Sequence, residues 1–290
     1  MVEDWLANAY DGMSRRQFLA MMSAAGITLA GFALAAKPVS GEVIITSAEG
    51  LRTADKTVVS GGFEVPVYEA VPARAGKYPV IVVIPEIFGM HEHIRDVTRR
   101  FAKEGYLTVT FEPYAREGGV HHLPDIPAVR KVADRVPDSR IMADLDAIVA
   151  SAQGHPSARK DRIGVTGFCR GGTYTLLYAA HNRAVNGAVA WYGQIKPEKN
   201  PAVRTEGPLD VAGRIACPVL GLYGEADLGI PVADVKEMEA LLRTTGHPVE
   251  FVLYPGAPHA FYADYRPSYR ADAARDGWRR CTEWFAKYVK

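Results

Sequence analysis

The chain has 290 residues, of which 48% are hydrophobic and 23% charged, with a formal net charge of +1 at pH 7. That length can bury a full core, and a near-neutral balance without a Lys/Arg run gives no footprint for nucleic acid or an acidic partner. Cys169, Cys217 and Cys281 form neither a CxxC pair nor a zinc spacing, and their odd number argues against a complete disulfide framework.

The first forty residues differ from the rest. SRRQFLA (Ser14 to Ala20) precedes MMSAAGITLAGFALAA, an Ala- and Gly-rich apolar stretch with no charged face to turn toward water. Arg15 and Arg16, followed by Phe18 and Leu19, resemble a twin-arginine export signal, and Ala33-Leu34-Ala35 offers small residues for a signal peptidase. On this reading residues 1–41 are an export leader and linker, residues 42–290 are one domain, and the destination is the periplasm. The alternatives are a cytoplasmic protein or one anchored through an uncleaved leader, because the stretch nearly reaches the roughly 18 apolar residues of a span. The mature domain is expected to make no stable membrane insertion.

From residue 42 the chain alternates between strand-like and helix-like segments. EVIITSA and FEVPVYEAVP read as an antiparallel opening. Short apolar runs follow, typical of buried parallel strands: PVIVVIP (79–85), LTVTFEP (107–113), RIGVTGF (162–168), GAVAWYG (187–193), PVLGLYG (218–224) and VEFVLYP (249–255). Helical segments lie between them: HIRDVTRRFAKEG, residues 144–152, the stretch after Gly171, and VADVKEMEALLRTTG. The last, RDGWRRCTEWFAKYV, puts Trp278, Cys281, Phe285 and Tyr288 on one stripe. Repeated β-α-β alternation predicts an α/β fold, a mostly parallel central sheet with helices on both faces. Residues 114–140 form a long Pro/Gly-punctuated segment with room for a short helix near 128–136, and no insertion is large enough for a lid domain.

In open parallel sheets ligands bind beyond the carboxyl ends of the strands. Cys169 follows RIGVTGF within GFCRGG, Asp227 follows PVLGLYG, and His259 follows VEFVLYP. Nucleophile, acid and histidine in that order match the order of an α/β-hydrolase triad, with a thiol where G-x-S-x-G has a serine. A cysteine at a helix N-terminus is pushed toward thiolate, His259 can take its proton, and Asp227 can orient the imidazole. The backbone N–H groups of Arg170 and Ile87 are the candidate oxyanion hole. Glu86, at the end of a buried strand, either pairs with an arginine, caps a turn, or faces Cys169 and controls its proton.

PEIFG, IRD, EGY, GFCRGG, the Asp of GEAD and the His of PHAF together resemble the dienelactone hydrolase (carboxymethylenebutenolidase) family over residues 58–290. The resemblance implies an α/β-hydrolase fold and a Cys-His-Asp triad of Cys169, His259 and Asp227. It also implies that Glu86 holds the resting thiol and swings away when substrate binds. The substrate class is a small lactone or activated ester, opened through a thioester acyl-enzyme. A thiolate is itself a good leaving group, so attack is productive mainly where the other leaving group is a stabilised enolate.

Dienelactones carry a carboxylate that an arginine should meet. Arg116, Arg130, Arg135, Arg266 and Arg270 are the candidates, Arg130 being chosen for the site; Trp191 and Tyr192, just past a strand end, are expected to line the pocket, with a plain core role the alternative for Trp191. Ala260 stands where some family members have a serine that helps bind that carboxylate. No cofactor or metal is expected: His91-Glu92-His93 does not converge on one ion, and His121-His122 reads as a solvated pair. Cys217 and Cys281 read as core. The protein is expected to be a monomer or a small homo-oligomer. Other readings are the same fold on a different small ester or thioester, a non-catalytic binding protein, or a thiol-redox role for Cys169.

Overall fold

The computed structural model describes residues 43–290; the leader read over residues 1–41, with its arginine pair, lies outside the described residues. In chain order the elements are β1 (Leu51–Ser60), β2 (Phe63–Pro72), β3 (Tyr78–Ile84), α1 (Glu92–Lys103), β4 (Leu107–Phe111), α2 (Ile126–Ala133), α3 (Asp138–Gly154) and β5 (Ala158–Phe168). They continue with α4 (Arg170–His181), β6 (Gly187–Trp191), α5 (Pro208–Val211), β7 (Val219–Gly224), α6 (Val232–Arg243), β8 (Val249–Tyr254) and α7 (Ala271–Tyr288). The strands form one 8-stranded sheet in the order β1-β2-β4-β3-β5-β6-β7-β8. β1 and β2 join antiparallel, and β3 to β8 run parallel. This is the α/β-hydrolase type of fold.

The parallel strands are the apolar runs of the sequence, and their burial explains why. Val80 to Ile84 of β3 are at most 1% exposed, each such side chain being worth about 1.5–3 kcal/mol when removed from water. α1 and α7 share one face, where Phe101 meets Trp278 and Phe285 at ring separations of 4.5 and 5.8 Å. α3, α4 and α6 cover the other. α7 buries Ala274, Gly277, Cys281 and Phe285, so the predicted stripe is there, with Trp278 and Tyr288 at its margins. In the long segment, α2 is capped by the Asp125 carboxylate, which accepts the Ala128 N–H at 2.7 Å. Among the described residues no helix is long and apolar enough to cross a membrane.

The antiparallel opening departs from expectation. Residues 43–48, the described part of EVIITSA, are not a strand; the partner of β2 is LRTADKTVVS, paired along its whole length. β1 is an edge strand with a mostly exposed, polar face, so it lacks the apolar signature of its neighbours. Residues 43–48 instead lie along α1 and the loop after β8, where the Ile44 and Thr46 N–H groups donate to Asp264 and Asp96.

The strand order positions the site. After β3 the chain moves outward to β4, and after β5 it moves the other way to β6. The carboxyl ends of β3 and β5 therefore flank the point where the winding reverses, the crevice in which open α/β sheets bind ligands. Glu86 follows one strand and Cys169 the other.

Candidate active site

Cys169 sits on a sharp turn between β5 and α4 at φ 55° and ψ −119°, an arrangement costly for a residue with a Cβ. The turn is held by its own bonds: Cys169 N–H donates to the Trp191 carbonyl at 3.0 Å, and the Cys169 carbonyl accepts from Gly172 at 2.9 Å. Gly171 allows the close approach of α4 to β3, since a Cβ there would lie 2.2 Å from the Ile84 carbonyl oxygen. Among the described residues the other non-glycine positions at positive φ are Tyr192 at 38° and Ala260 at 60°. One lies at the end of β6 and the other beside His259, so backbone strain concentrates around the thiol.

His259, in the loop after β8, has its Nδ1 2.6 Å from Asp227 Oδ2. The other Asp227 oxygen accepts the Gly229 N–H at 2.9 Å, which fixes the carboxylate within its own turn. The Tyr192 ring meets the imidazole edge to face at 5.3 Å. Burial aside, His259 is the group that bears most strongly on the Cys169 thiol. Burial opposes charge on both partners, yet the imidazole is pushed up to about 10 by Cys169 and Asp227. Burial and Glu86 push the thiol up, and His259 and Arg266 outweigh them, so its net shift is downward. Cys169, His259 and Asp227 are thus brought together from three strand ends.

Glu86 is almost completely buried in the loop after β3. It bears electrostatically on Cys169 but is bonded elsewhere: the Tyr265 hydroxyl donates to its Oε2 at 2.6 Å, and His91 Nε2 lies 3.3 Å from the same oxygen. Burial raises this carboxyl, but the His91 hydrogen bond and the charges of His91, His93 and Arg266 bring it down to about 2. Tyr265 is a site neighbour that sequence reading did not single out, and His91 was weighed only as part of a metal motif. Glu112, at the end of β4, fixes the same loop by accepting from Met90 N–H at 2.9 Å and Tyr114 N–H at 3.1 Å. It also lies 3.0 Å from His121 Nε2, so His121 is a half-buried tether of the long segment rather than a solvated residue. Gly89, at φ +74°, packs so closely on Glu112 that a Cβ would lie 2.4 Å from its oxygen.

Ile87 lies in the loop after β3, and Arg170 follows Cys169 at the start of α4. Neither donates a hydrogen bond within the backbone or to a side chain among the described residues. The Arg170 guanidinium holds the Ala133 carbonyl at 3.0 Å, together with Asp134, and so ties the turn to the end of α2.

Two expected pocket residues are placed elsewhere. Trp191 is fully buried, stacked on Phe168 at 5.3 Å and packed against Tyr262 at 4.6 Å. Trp191 ends β6 with its side chain in the core, whereas Tyr192, past the strand at φ 38°, packs on His259. Arg130 is exposed on α2. The arginine that bears on Cys169, Glu86 and Tyr192 is Arg266, half-buried with its guanidinium 5.5 Å from the Phe88 ring centre. Glu86 Oε1, Arg266 Nε and the Tyr192 hydroxyl are buried without a hydrogen-bond partner among the described residues. His91 and His93 each meet a different carboxylate, and no cluster of His, Cys, Asp and Glu able to hold a metal ion occurs among the described residues.

Residues 65–289 match the dienelactone hydrolase family. The chain belongs to the dienelactone hydrolase family. It is 48% identical over 278 residues to a protein of Methylorubrum extorquens, covering 95% of this chain and 94% of that one. It is 44% identical over 260 residues to a protein of Escherichia coli K12, covering 89% and 95%. Both carry the name "Putative carboxymethylenebutenolidase". A crystal structure from Klebsiella pneumoniae, described as a "Putative Dienelactone Hydrolase", matches with a TM-score of 0.79 at 44% identity, over 82% of this chain and 99% of that one. This dienelactone hydrolase family member is accordingly a hydrolase of the carboxylic ester type.

Proposed function

We propose that the protein opens small lactones or activated esters of the dienelactone type, with Cys169 as nucleophile, His259 as acid–base and Asp227 as the group that orients the imidazole. The observation that carries this reading is His259 held between the Asp227 carboxylate, at 2.6 Å, and the Cys169 thiol at the winding reversal of the sheet.

The thiolate adds to the lactone carbonyl, and the oxygen that gains charge is met by the Ile87 and Arg170 amides. The carbon–oxygen bond of the ring then breaks. The enolate leaves, its proton supplied by His259 Nε2, and Cys169 carries the acyl group as a thioester. Water attacks that thioester, gives its proton to His259, and the thiolate departs from the free acid. Arg266 supplies a cation for a substrate carboxylate, and the unpartnered Tyr192 hydroxyl can donate to a second substrate oxygen.

The test is ultraviolet-monitored hydrolysis of cis- and trans-dienelactone, with nitrophenyl acetate as a neutral control, by the wild type and Cys169→Ala. Loss of about 10³-fold or more in the variant, with an unchanged melting temperature, is the expected result. Equal turnover by the variant overturns the assignment of the nucleophile. Cleavage of nitrophenyl acetate alone, still dependent on Cys169, keeps the triad and moves the substrate to another small ester.

A further inference from the structure

One turn serves both ends of the proton transfer. β5 and β6 pair in register with Phe168 opposite Trp191, so Cys169 and Tyr192 leave neighbouring strands at the same level. The Trp191 carbonyl accepts the Cys169 N–H at 3.0 Å, and the Tyr192 N–H donates to the Leu222 carbonyl at 2.9 Å. Gly193 packs so closely on α4 that a Cβ there would lie 2.3 Å from the Gly172 carbonyl carbon and from the Thr173 nitrogen. Between these supports Tyr192 is held at φ 38°, a backbone that a residue with a Cβ adopts only where its surroundings impose it.

The side chain so placed is wholly buried. Its ring lies 6.2 Å from that of Phe168, the residue before Cys169, and 5.3 Å from that of Phe261, two residues after His259. The same ring meets the His259 imidazole at 5.3 Å and 68°, the edge-to-face geometry that aromatic pairs prefer and resist leaving. The backbone of the His259 loop is anchored separately, for the Ala260 carbonyl accepts from the Ala263 N–H at 3.0 Å and from the Ser268 hydroxyl at 3.1 Å. What remains to be fixed is the tilt of the imidazole. Its hydrogen bond to Asp227, at 2.6 Å, restrains Nδ1 but lets the ring rock about that contact, and the side chain is 35% exposed.

We propose that Tyr192 is a positioning residue whose ring sets the tilt of the His259 imidazole. The turn after β6 then holds the nucleophile through the Trp191 carbonyl and the histidine through the Tyr192 ring. This rests on the reading of Cys169 as nucleophile and His259 as acid–base. An imidazole held by Asp227 alone would spend part of its time with Nε2 turned from the sulfur and from the water that opens the thioester. A misplacement near 1 Å costs about 10²-fold in rate. Binding a small ester needs no such alignment, so the cost falls on kcat.

The test is kcat and KM on nitrophenyl acetate for the full chain carrying Tyr192→Leu, Tyr192→Phe, or Tyr192→Leu together with Asp227→Asn. Nitrophenolate leaves without a proton, so kcat reads the activation of water by His259. Tyr192→Leu should lower kcat by about 30-fold and leave KM within about threefold. Tyr192→Phe keeps the ring and should recover about tenfold or more of that loss. On the Asp227→Asn background the leucine should cost less than about threefold, because an imidazole already released has no tilt to lose. A general loosening of the fold would cost as much on either background, and that result overturns the inference. So does a loss confined to KM, a phenylalanine variant as impaired as the leucine one, or a folded Tyr192→Leu with unaltered kcat. Should Tyr192→Leu not fold, Tyr192→Asn, whose side chain tolerates this backbone, takes its place with the same expectations. Cys169→Ala on the same substrate keeps the two readings apart. Turnover that survives it overturns the assignment of the nucleophile, whereas Cys169-dependent turnover indifferent to Tyr192→Leu overturns the positioning role alone.

Discussion

Two histidine–aspartate pairs lie at this end of the sheet with the same ring nitrogen turned to the carboxylate. His259 Nδ1 is 2.6 Å from Asp227, and His93 Nδ1 is 3.1 Å from Asp264. Their third partners differ. Asp264 is wholly buried, ion-paired with Arg100 and bonded to the Ile44 N–H, so much of its charge is neutralised before His93 feels it. Among the described residues the Asp227 carboxylate is bonded beyond its histidine only to an N–H of its own turn, and its imidazole is 35% exposed. The pair itself is not the catalytic signature. On the proposed mechanism, what faces the far side of the ring decides whether it moves protons or holds the fold together.

Removing each carboxylate in turn should separate the two pairs most sharply. Asp227→Asn leaves His259 without its orienting charge and should lower kcat by about 10²–10⁴-fold with little change in unfolding free energy. Asp264→Asn takes one of two carboxylates from Arg100, which keeps Asp96 at 2.5 Å, and should cost about 1.5–3 kcal/mol of stability, while kcat per folded molecule stays within about threefold. Steady-state kinetics beside urea unfolding of both variants reads the contrast. A stable but inactive Asp264→Asn would place the second pair in the chemistry and end the distinction.

Acid sharpens the same contrast by a smaller amount. Burial raises the Asp264 carboxyl, but His93 and Arg100 bring it down to about 2 from an ordinary 3.8. A carboxyl depressed by folding contributes stability that is present above its unfolded value and is lost as pH falls through its folded value. Wild-type stability should therefore drop by roughly 2 kcal/mol from this group between pH 4 and pH 2. The Asp264→Asn curve should be flatter, and the two should converge at the acid end. Parallel curves would show that Asp264 does not carry the acid sensitivity.

The first pair was legible in the sequence and the second was not, for a physical reason. A strand buried on both faces must be a continuous apolar run, so β3 to β8 announce themselves, and with them the reactive residues at their carboxyl ends. β1 pairs one edge and turns most of its side chains to water, so nothing apolar marks it. The link between Tyr265 and Glu86 spans 179 positions and joins two loops whose meeting depends on the packed sheet. His91 and His93 could be read only as a local motif, because their carboxylates come from β3 and from beyond β8. Trp191 and Tyr192 were readable in part, since β6 ends between them and the turn at Tyr192, at φ 38°, has no mark in the sequence.

The last contrast sets Arg266 against Arg130. Arg130 stands on α2 in solvent, where a charge is strongly screened. Arg266 is half-buried beside Cys169, Glu86 and Tyr192, and its Nε has no hydrogen-bond partner among the described residues. An unsatisfied donor on a charged group is costly to leave and gains about 1.5–3 kcal/mol when a carboxylate arrives. Arg266→Ala should therefore raise KM for an anionic dienelactone by about tenfold or somewhat more, and Arg130→Ala should leave it within about twofold. Nitrophenyl acetate, which has no carboxylate, separates binding from chemistry. Its kcat/KM should change by less than about threefold in either variant if Arg266 acts on the substrate anion. Equal losses on both substrates would mean that Arg266 works through the thiol, whose charge it also stabilises.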